Sequence, residues 1–350
     1  MKLILHTGPS KTGSTSIQAF LRIKEKRLKK EGIWPLYLSQ MNMSEFRWIF
    51  ATVPDFSKSN RLGVNINNLE QCRSKFKSEL FEKINLAKAG NAKCVIISSE
   101  SISNLGLGSN YDQGALNELK EFISCFASDL TVVPVLRRQD LRSISKYKNM
   151  VKNKGLNAKQ CFMHQESLEL DRMLINWSDV FGSENIKPIL FPDSVTEERY
   201  LIQDFCRVAG FAHLFDLSEQ SRFWRNSAVD GRAQEIYRQL NIKAPGRHLS
   251  DKNKLIRRFN QINESHFQDP IQKICLPKSE AEQFVNRYAT GNEIVRKMFF
   301  PAREILFKND FSMFSDFSYF PAPDIEDLYE IFVKLLYDEQ LTNLVKKREK

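Results

Sequence analysis

The stretch that most restricts how this chain can fold is KLILHTGPSKTGSTSIQAFL, residues 2–21. A short apolar run leads into a turn punctuated by glycine, and after it Ile17, Phe20, Leu21 and Leu28 recur at helical spacing. The order is strand, loop, helix. Gly8 and Gly13 have the separation found in the nucleotide-triphosphatase pattern GxxxxGK[ST], and Ser14 and Thr15 follow directly. The lysine is displaced, however. It is Lys11, two residues before the second glycine instead of one after it. The amides of residues 11 to 15 can still curl around an anion at the start of the helix, where N–H groups and the helix dipole favour negative charge. The hydroxyls of Thr12, Ser14, Thr15 and Ser16 add donors. No aspartate stands after a later strand where a magnesium-holding Walker B residue would. Spacing alone also allows a plain tight turn with Lys11 on the surface.

Further along, CVIIS (94–98), TVVPVL (131–136) and IKPILF (186–191) read as strands, although a proline in each of the last two removes a ladder donor. Helical patterns lie between and after them, including one with Leu116, Leu119, Phe122, Ile123 and Phe126, and LIQDFCRVAGF at 201–211. Strands alternating with helices predict a three-layer α/β/α domain on a central parallel sheet. The expected organisation is a main domain over 1–240 with an insert at about 36–93. A mostly helical C-terminal extension would follow over 241–350. Within the insert, Phe46, Trp48 and Phe50 read as exposed aromatics.

Composition narrows the class. The chain has 350 residues, 42% hydrophobic and 27% charged, as in an ordinary globular protein, and no apolar run reaches membrane-spanning length. No secretory leader is expected, since the first apolar run opens directly into the loop, and the expected location is the cytoplasm. Six cysteines are scattered without paired spacing, which predicts reduced, mostly buried side chains and neither a zinc site nor a disulfide framework. A net charge of +10 favours anionic ligands without naming them.

The loop HTGPSKTGSTSIQAFL closely resembles that of sulfotransferases using 3'-phosphoadenosine 5'-phosphosulfate, especially bacterial carbohydrate-type members. Lys11, Thr12, Gly13, Ser14, Thr15 and Ser16 match the residues that grip the 5'-phosphosulfate, with Ser10 where the family often has proline. A second resemblance lies in VVPVLRRQDLRSISKYKN (132–149). In the family, an arginine at a strand end and a serine eight positions later bind the donor's 3'-phosphate; Arg137 and Ser145 have that spacing, and Tyr147 stands where an aromatic is common. A guanidinium fork and a hydroxyl suit a phosphate that ATP lacks. Arg138 can share or take the arginine's part. The SSE at 98–100 is similar to the segment carrying the family's glutamate base, which implies that role for Glu100. His6 belongs to the first strand and is no counterpart of the histidine base of small-molecule members. Arg225, Asn226 and Ser227 resemble a segment that closes over the donor. NRYATGNEIVRKMFF (286–300) resembles C-terminal sequence of such proteins, read first as packing and second as acceptor binding.

What the resemblance implies is in-line transfer of a sulfuryl group to a carbohydrate hydroxyl, leaving adenosine 3',5'-bisphosphate and requiring no metal. Glu100 would act as base and Lys11 would support the leaving phosphate. The acceptor would be a polysaccharide or a lipid-linked glycan, the latter bringing the protein near a membrane surface, and no nucleic acid is expected as partner. Acceptor identity and oligomeric state are not encoded legibly. Two other readings stand beside this one: an ATP- and magnesium-dependent kinase of a small molecule or sugar, and a non-enzymatic polyanion-binding protein.

Overall fold

The computed structural model describes residues 1–38, 43, 45–51, 63–103, 105, 113–163, 168–192, 200–216, 218, 230–243, 262, 266 and 272–334. By packing, these fall into two compact units. The first comprises 1–142, 164–225 and 285–309; the second comprises 143–163, 226–284 and 310–350.

The first unit is built on a five-stranded parallel sheet among the described residues. Its strands are β1 (Lys2–Thr7), β2 (Ile33–Leu36), β3 (Cys94–Ser98), β4 (Asp129–Leu136) and β5 (Ile189–Leu190), in the order β2-β3-β1-β4-β5. Buried on both faces, β1 reads as a continuous apolar run and still sorts its side chains by alternation. Leu3 and Leu5 join one core, and Ile4 joins the other. The second core is covered by α1 (Ser14–Ile23), α2 (Glu25–Lys30) and α9 (Tyr200–Ala209), through residues such as Ile17, Phe20, Leu28 and Phe205. The first core is covered by α3 (Phe46–Ile49), α4 (Leu69–Ala89), α6 (Gln113–Ser124) and α8 (Leu170–Phe181). Helices on both faces of a parallel sheet make the three-layer α/β/α arrangement expected.

Three local expectations are revised or explained. The strand β2 was not legible, because IWPL is short and contains Pro35. It is the terminal strand of the sheet, where a missing donor costs least. The aromatics Phe46, Trp48 and Phe50 are buried, not exposed. Phe50 meets Phe122 edge-on at 5.5 Å, so a segment without strong periodicity is held by tertiary packing. The two strand prolines share one gap. Val132 bridges Ile186 and Val135 pairs with Ile189, so Pro134 and Pro188 stand opposite each other where neither has an N–H to offer.

In the second unit, the later turns of α7 (Gln139–Lys154) pack through Tyr147 and Val151 with Ala233, Ile236 and Tyr237 of α10 (Gly231–Lys243). The Asn241 amide donates to the carbonyls of Val151 and Leu156, at 2.8 Å each. The partition therefore interleaves segments, and α10 groups with residues on both sides of position 240.

Candidate active site

Sheet order locates the site. After β1 the chain moves toward β2, and after β4 it moves the other way toward β5. The switch point lies between β1 and β4, and in open α/β sheets ligands bind beyond the carboxyl ends of the strands at such a point. The loop 8–13 leaves β1 there, Arg137 follows the end of β4, and Glu100 follows neighbouring β3.

The loop conformation requires its glycines. Gly8 has φ +146° and Gly13 has φ +82°. A Cβ on Gly8 would stand 2.8 Å from the carbonyl oxygen of Val135, and one on Gly13 would overlap Leu201 and fall 2.8 Å from Phe191. Lys11 is also left-handed, at φ +75°, which is uncommon for a residue with a side chain. The N-terminus of α1 carries no side-chain cap and no carboxylate in its first turn, so nothing on the helix itself competes with an anion there.

The hydroxyls of the loop divide by environment. Thr12 is buried and donates to the Pro9 carbonyl at 2.7 Å, so it braces the loop. Ser14 is buried with no formed hydrogen bond, yet it lies close enough to the Glu100 carboxyl to favour that group's ionised form. Thr15 is exposed and Ser16 half-buried; the Ser16 amide bonds the Gly13 carbonyl at 2.9 Å.

Glu100 opens the short helix α5 (Glu100–Ser103) and keeps part of its surface exposed. Burial of the carboxyl raises its pKa above the ordinary range, while Ser14, Lys11 and Arg142 act in the opposite sense. Ser99 holds the turn in front of it: its hydroxyl donates to the Met43 carbonyl at 2.9 Å and accepts from the Ser101 amide at 3.2 Å.

The two adjacent arginines after β4 have separate surroundings. Arg137 donates from Nη1 to the Lys11 carbonyl at 2.9 Å and stacks its guanidinium 4.3 Å from the centre of the Phe191 ring. Arg138 is buried. It binds both oxygens of Asp140, at 2.8 and 2.9 Å, and the Lys308 carbonyl at 2.7 Å. That fork is occupied within the fold, so of the adjacent pair it is Arg137 that bonds the loop.

Sequence reasoning missed Arg142. It is buried on the first turns of α7 and donates from Nε to the Ser10 carbonyl at 2.9 Å. Burial pushes its pKa down to about 10, opposed by Glu100, so it remains a cation at neutral pH. The available signal was its helical offset. A residue in the first turns of the helix after β4 can reach back toward the loop after β1, where a run of polar residues otherwise reads as a solvated face.

His6 pairs in register with Ser98, and its Nδ1 lies 2.7 Å from the Ser98 hydroxyl inside the sheet. Complete burial lowers its pKa to about 3, which makes it a neutral strand residue. Ser145 lies half-buried on α7, in the part belonging to the second unit, and Tyr147 is in that unit's core. Residues 289–299 form a helix that buries Val295 in the first unit's core, and Asn292 exchanges hydrogen bonds with Gln139. Arg225, Asn226 and Ser227 lie outside the described residues.

Among the described residues no group of three or more His, Cys, Asp or Glu side chains is assembled for a metal, and no helix is long and apolar enough to cross a membrane. All six cysteines are free thiols, three of them buried.

No protein-family model matches the chain, and no curated protein matches it. Among solved structures it is similar to a sulfotransferase from Alicyclobacillus acidocaldarius, at 14% identity and a TM-score of 0.40, over 73% of this chain and 95% of the other. That likeness is weak and partial, and at this level it bears on neither ligand nor reaction.

Proposed function

We propose that the protein transfers a sulfuryl group from 3'-phosphoadenosine 5'-phosphosulfate to a hydroxyl of a carbohydrate acceptor. One observation carries the reading. Beside a glycine-built anion loop at the switch point, Lys11 and a carboxyl with raised pKa, Glu100, are close enough to act on each other, and Arg137 is fastened to the same loop. A proton acceptor, a cation and an uncapped helix start are the groups that an in-line transfer between two oxygens requires.

In this scheme Glu100 takes the proton from the acceptor hydroxyl as that oxygen bonds to sulfur. The bond between sulfur and the bridging phosphate oxygen breaks, and Lys11 with the loop amides stabilises the charge growing on that oxygen. The residues fit a phosphosulfate: Gly8 and Gly13 let the loop pack closely against β4, Leu201 and Phe191 in its curled form, and no carboxylate sits on the first turn of α1. Arg137 would hold the 3'-phosphate, and Ser14, Thr15 and Ser16 would border the 5'-phosphate; Ser145 is assigned to the 3'-phosphate by resemblance alone. Thr12 supports the loop from beneath. The raised pKa suits Glu100 to its role, because a more basic carboxylate is a stronger proton acceptor once ionised. Arg225, Asn226 and Ser227 are assigned to donor closure by resemblance alone. A polysaccharide or lipid-linked glycan as acceptor, and the cytoplasm as location, belong to the same proposal.

The test is calorimetric titration of the full chain with adenosine 3',5'-bisphosphate and, separately, with ATP plus magnesium. Micromolar binding of the bisphosphate, weakened at least tenfold by Arg137→Ala, with ATP much weaker, is the expected result. Preference for magnesium-ATP moves the protein to the kinases and overturns the donor assignment. Labelled donor and a glycan panel then identify the acceptor.

A further inference from the structure

Two consecutive peptide units of the loop are held by two arginines. The Ser10 carbonyl accepts from Arg142 Nε at 2.9 Å, and the Lys11 carbonyl accepts from Arg137 Nη1 at 2.9 Å. A trans peptide points its C=O and its following N–H in opposite directions. A carbonyl drawn toward an arginine therefore sends the next amide the other way. Here those amides belong to Lys11 and Thr12. Between the two peptides lies Lys11 itself at φ +75°. A residue with a side chain held there persists only where its surroundings impose it, and a left-handed residue in such a turn is what aims successive amides into one concavity. The two bonds bracket the strained residue. Arg142 is 1% exposed, so its charge is kept inside the fold at a cost that a solvated lysine or arginine would not incur.

We propose that Arg142 is a positioning residue that, with Arg137, turns the Ser10 and Lys11 carbonyls out of the loop and aims the Lys11 and Thr12 amides into the anion cradle. Its action is through the loop, not through contact with a reacting atom. It preorganises donors that would otherwise have to be ordered when the anion arrives. The affinity part of the test rests on the donor reading above; the conformational part does not.

Side-chain geometry supplies a clean pair of variants. Glutamine places an amide nitrogen at the position of arginine Nε, so Arg142→Gln keeps the donor and removes the charge. Methionine places a methyl group there, so Arg142→Met matches the glutamine variant in length and removes both. Crystal structures of the two variants report the orientation of the Ser10 carbonyl and the conformation of Lys11, and calorimetry reports affinity for adenosine 3',5'-bisphosphate. Arg142→Gln should retain the left-handed Lys11 and bind within about threefold of the wild type. Arg142→Met should release the Ser10 carbonyl and lose about tenfold in affinity, the scale of one charge-assisted hydrogen bond. An unmoved loop in Arg142→Met, a moved loop with unchanged affinity, or equal losses in both variants overturns the proposal. If the methionine variant does not fold, a tenfold loss in Arg142→Gln alone overturns it. If the wild type does not bind the bisphosphate while Arg142→Met still releases the carbonyl, the donor reading fails and the clamp stands.

Discussion

Gly8→Ala isolates how closely the loop is built onto the sheet. Gly8 has φ +146°, and an added Cβ would lie 2.8 Å from the carbonyl oxygen of Val135, 3.0 Å from its nitrogen and 3.1 Å from Thr12 Oγ1. The first two are main-chain atoms of β4, which cannot swing aside as the end of a side chain can. The backbone conformation costs about 1–3 kcal/mol for a non-glycine residue. Forcing β1 and β4 apart to admit the methyl costs about 1–3 kcal/mol more. The sum, about 2–6 kcal/mol, is a large share of a stability on the order of 5–15 kcal/mol. Urea denaturation measures it; with a slope of about 2–3 kcal/mol/M, the midpoint should fall by about 0.7–3 M. Gly210→Ala is the control, because Gly210 also has positive φ, +87°, but nothing within 4 Å of its Cβ position. It should lose only the conformational part, about 1–2 kcal/mol. Bisphosphate affinity should fall in Gly8→Ala and hold in Gly210→Ala, since only the former moves the loop against Arg137. Equal losses in the two variants would refute the close approach as the cause, and a loss below about 0.5 kcal/mol in Gly8→Ala would refute the packing itself.

Glu100→Gln should abolish turnover and leave bisphosphate affinity nearly intact, and retained turnover would remove Glu100 from the role of base. Because burial raises the folded pKa of Glu100, its ionised form opposes folding, so Glu100→Gln should melt higher than the wild type at pH 7. That gain should disappear below the ordinary carboxylate range, where the wild type is protonated in both states; a pH-independent difference would contradict the linkage. His6 behaves oppositely, with a pKa lowered from 6.5 to about 3. Its contribution is complete above 6.5 and is lost as pH falls toward the folded value. By pH 5 the wild type should have lost about 2 kcal/mol that His6→Asn does not lose. Parallel stability–pH curves for the two proteins would sink this account.

The strand–loop–helix at the start of the chain was legible because its determinants are local. Ile17, Phe20 and Leu21 carry the helical period, and the glycines stand where the backbone needs positive φ. The strands at 94–98 and 131–136 were legible for the same reason, as apolar runs bounded by polar residues. Their alternation with helices implied a parallel sheet, and hence a loop at the carboxyl ends of its strands. What the sequence by itself determined was therefore the layer architecture and a glycine-built strand–helix loop with Lys11 in an unusual place. Tertiary structure decided the rest. It brought β4 beside β1 across more than a hundred residues, and only that adjacency gives Arg137 the Lys11 carbonyl and Arg142 the Ser10 carbonyl. It separated two neighbouring arginines that sequence cannot rank, by setting Asp140 and the Lys308 carbonyl against one of them. It also buried Phe46, Trp48 and Phe50, whose own segment has too little periodicity to declare a buried face. The physical reason is common to all three. Periodicity records which side of an element faces a core, whereas the partner of a buried polar group depends on contacts between segments far apart in the chain.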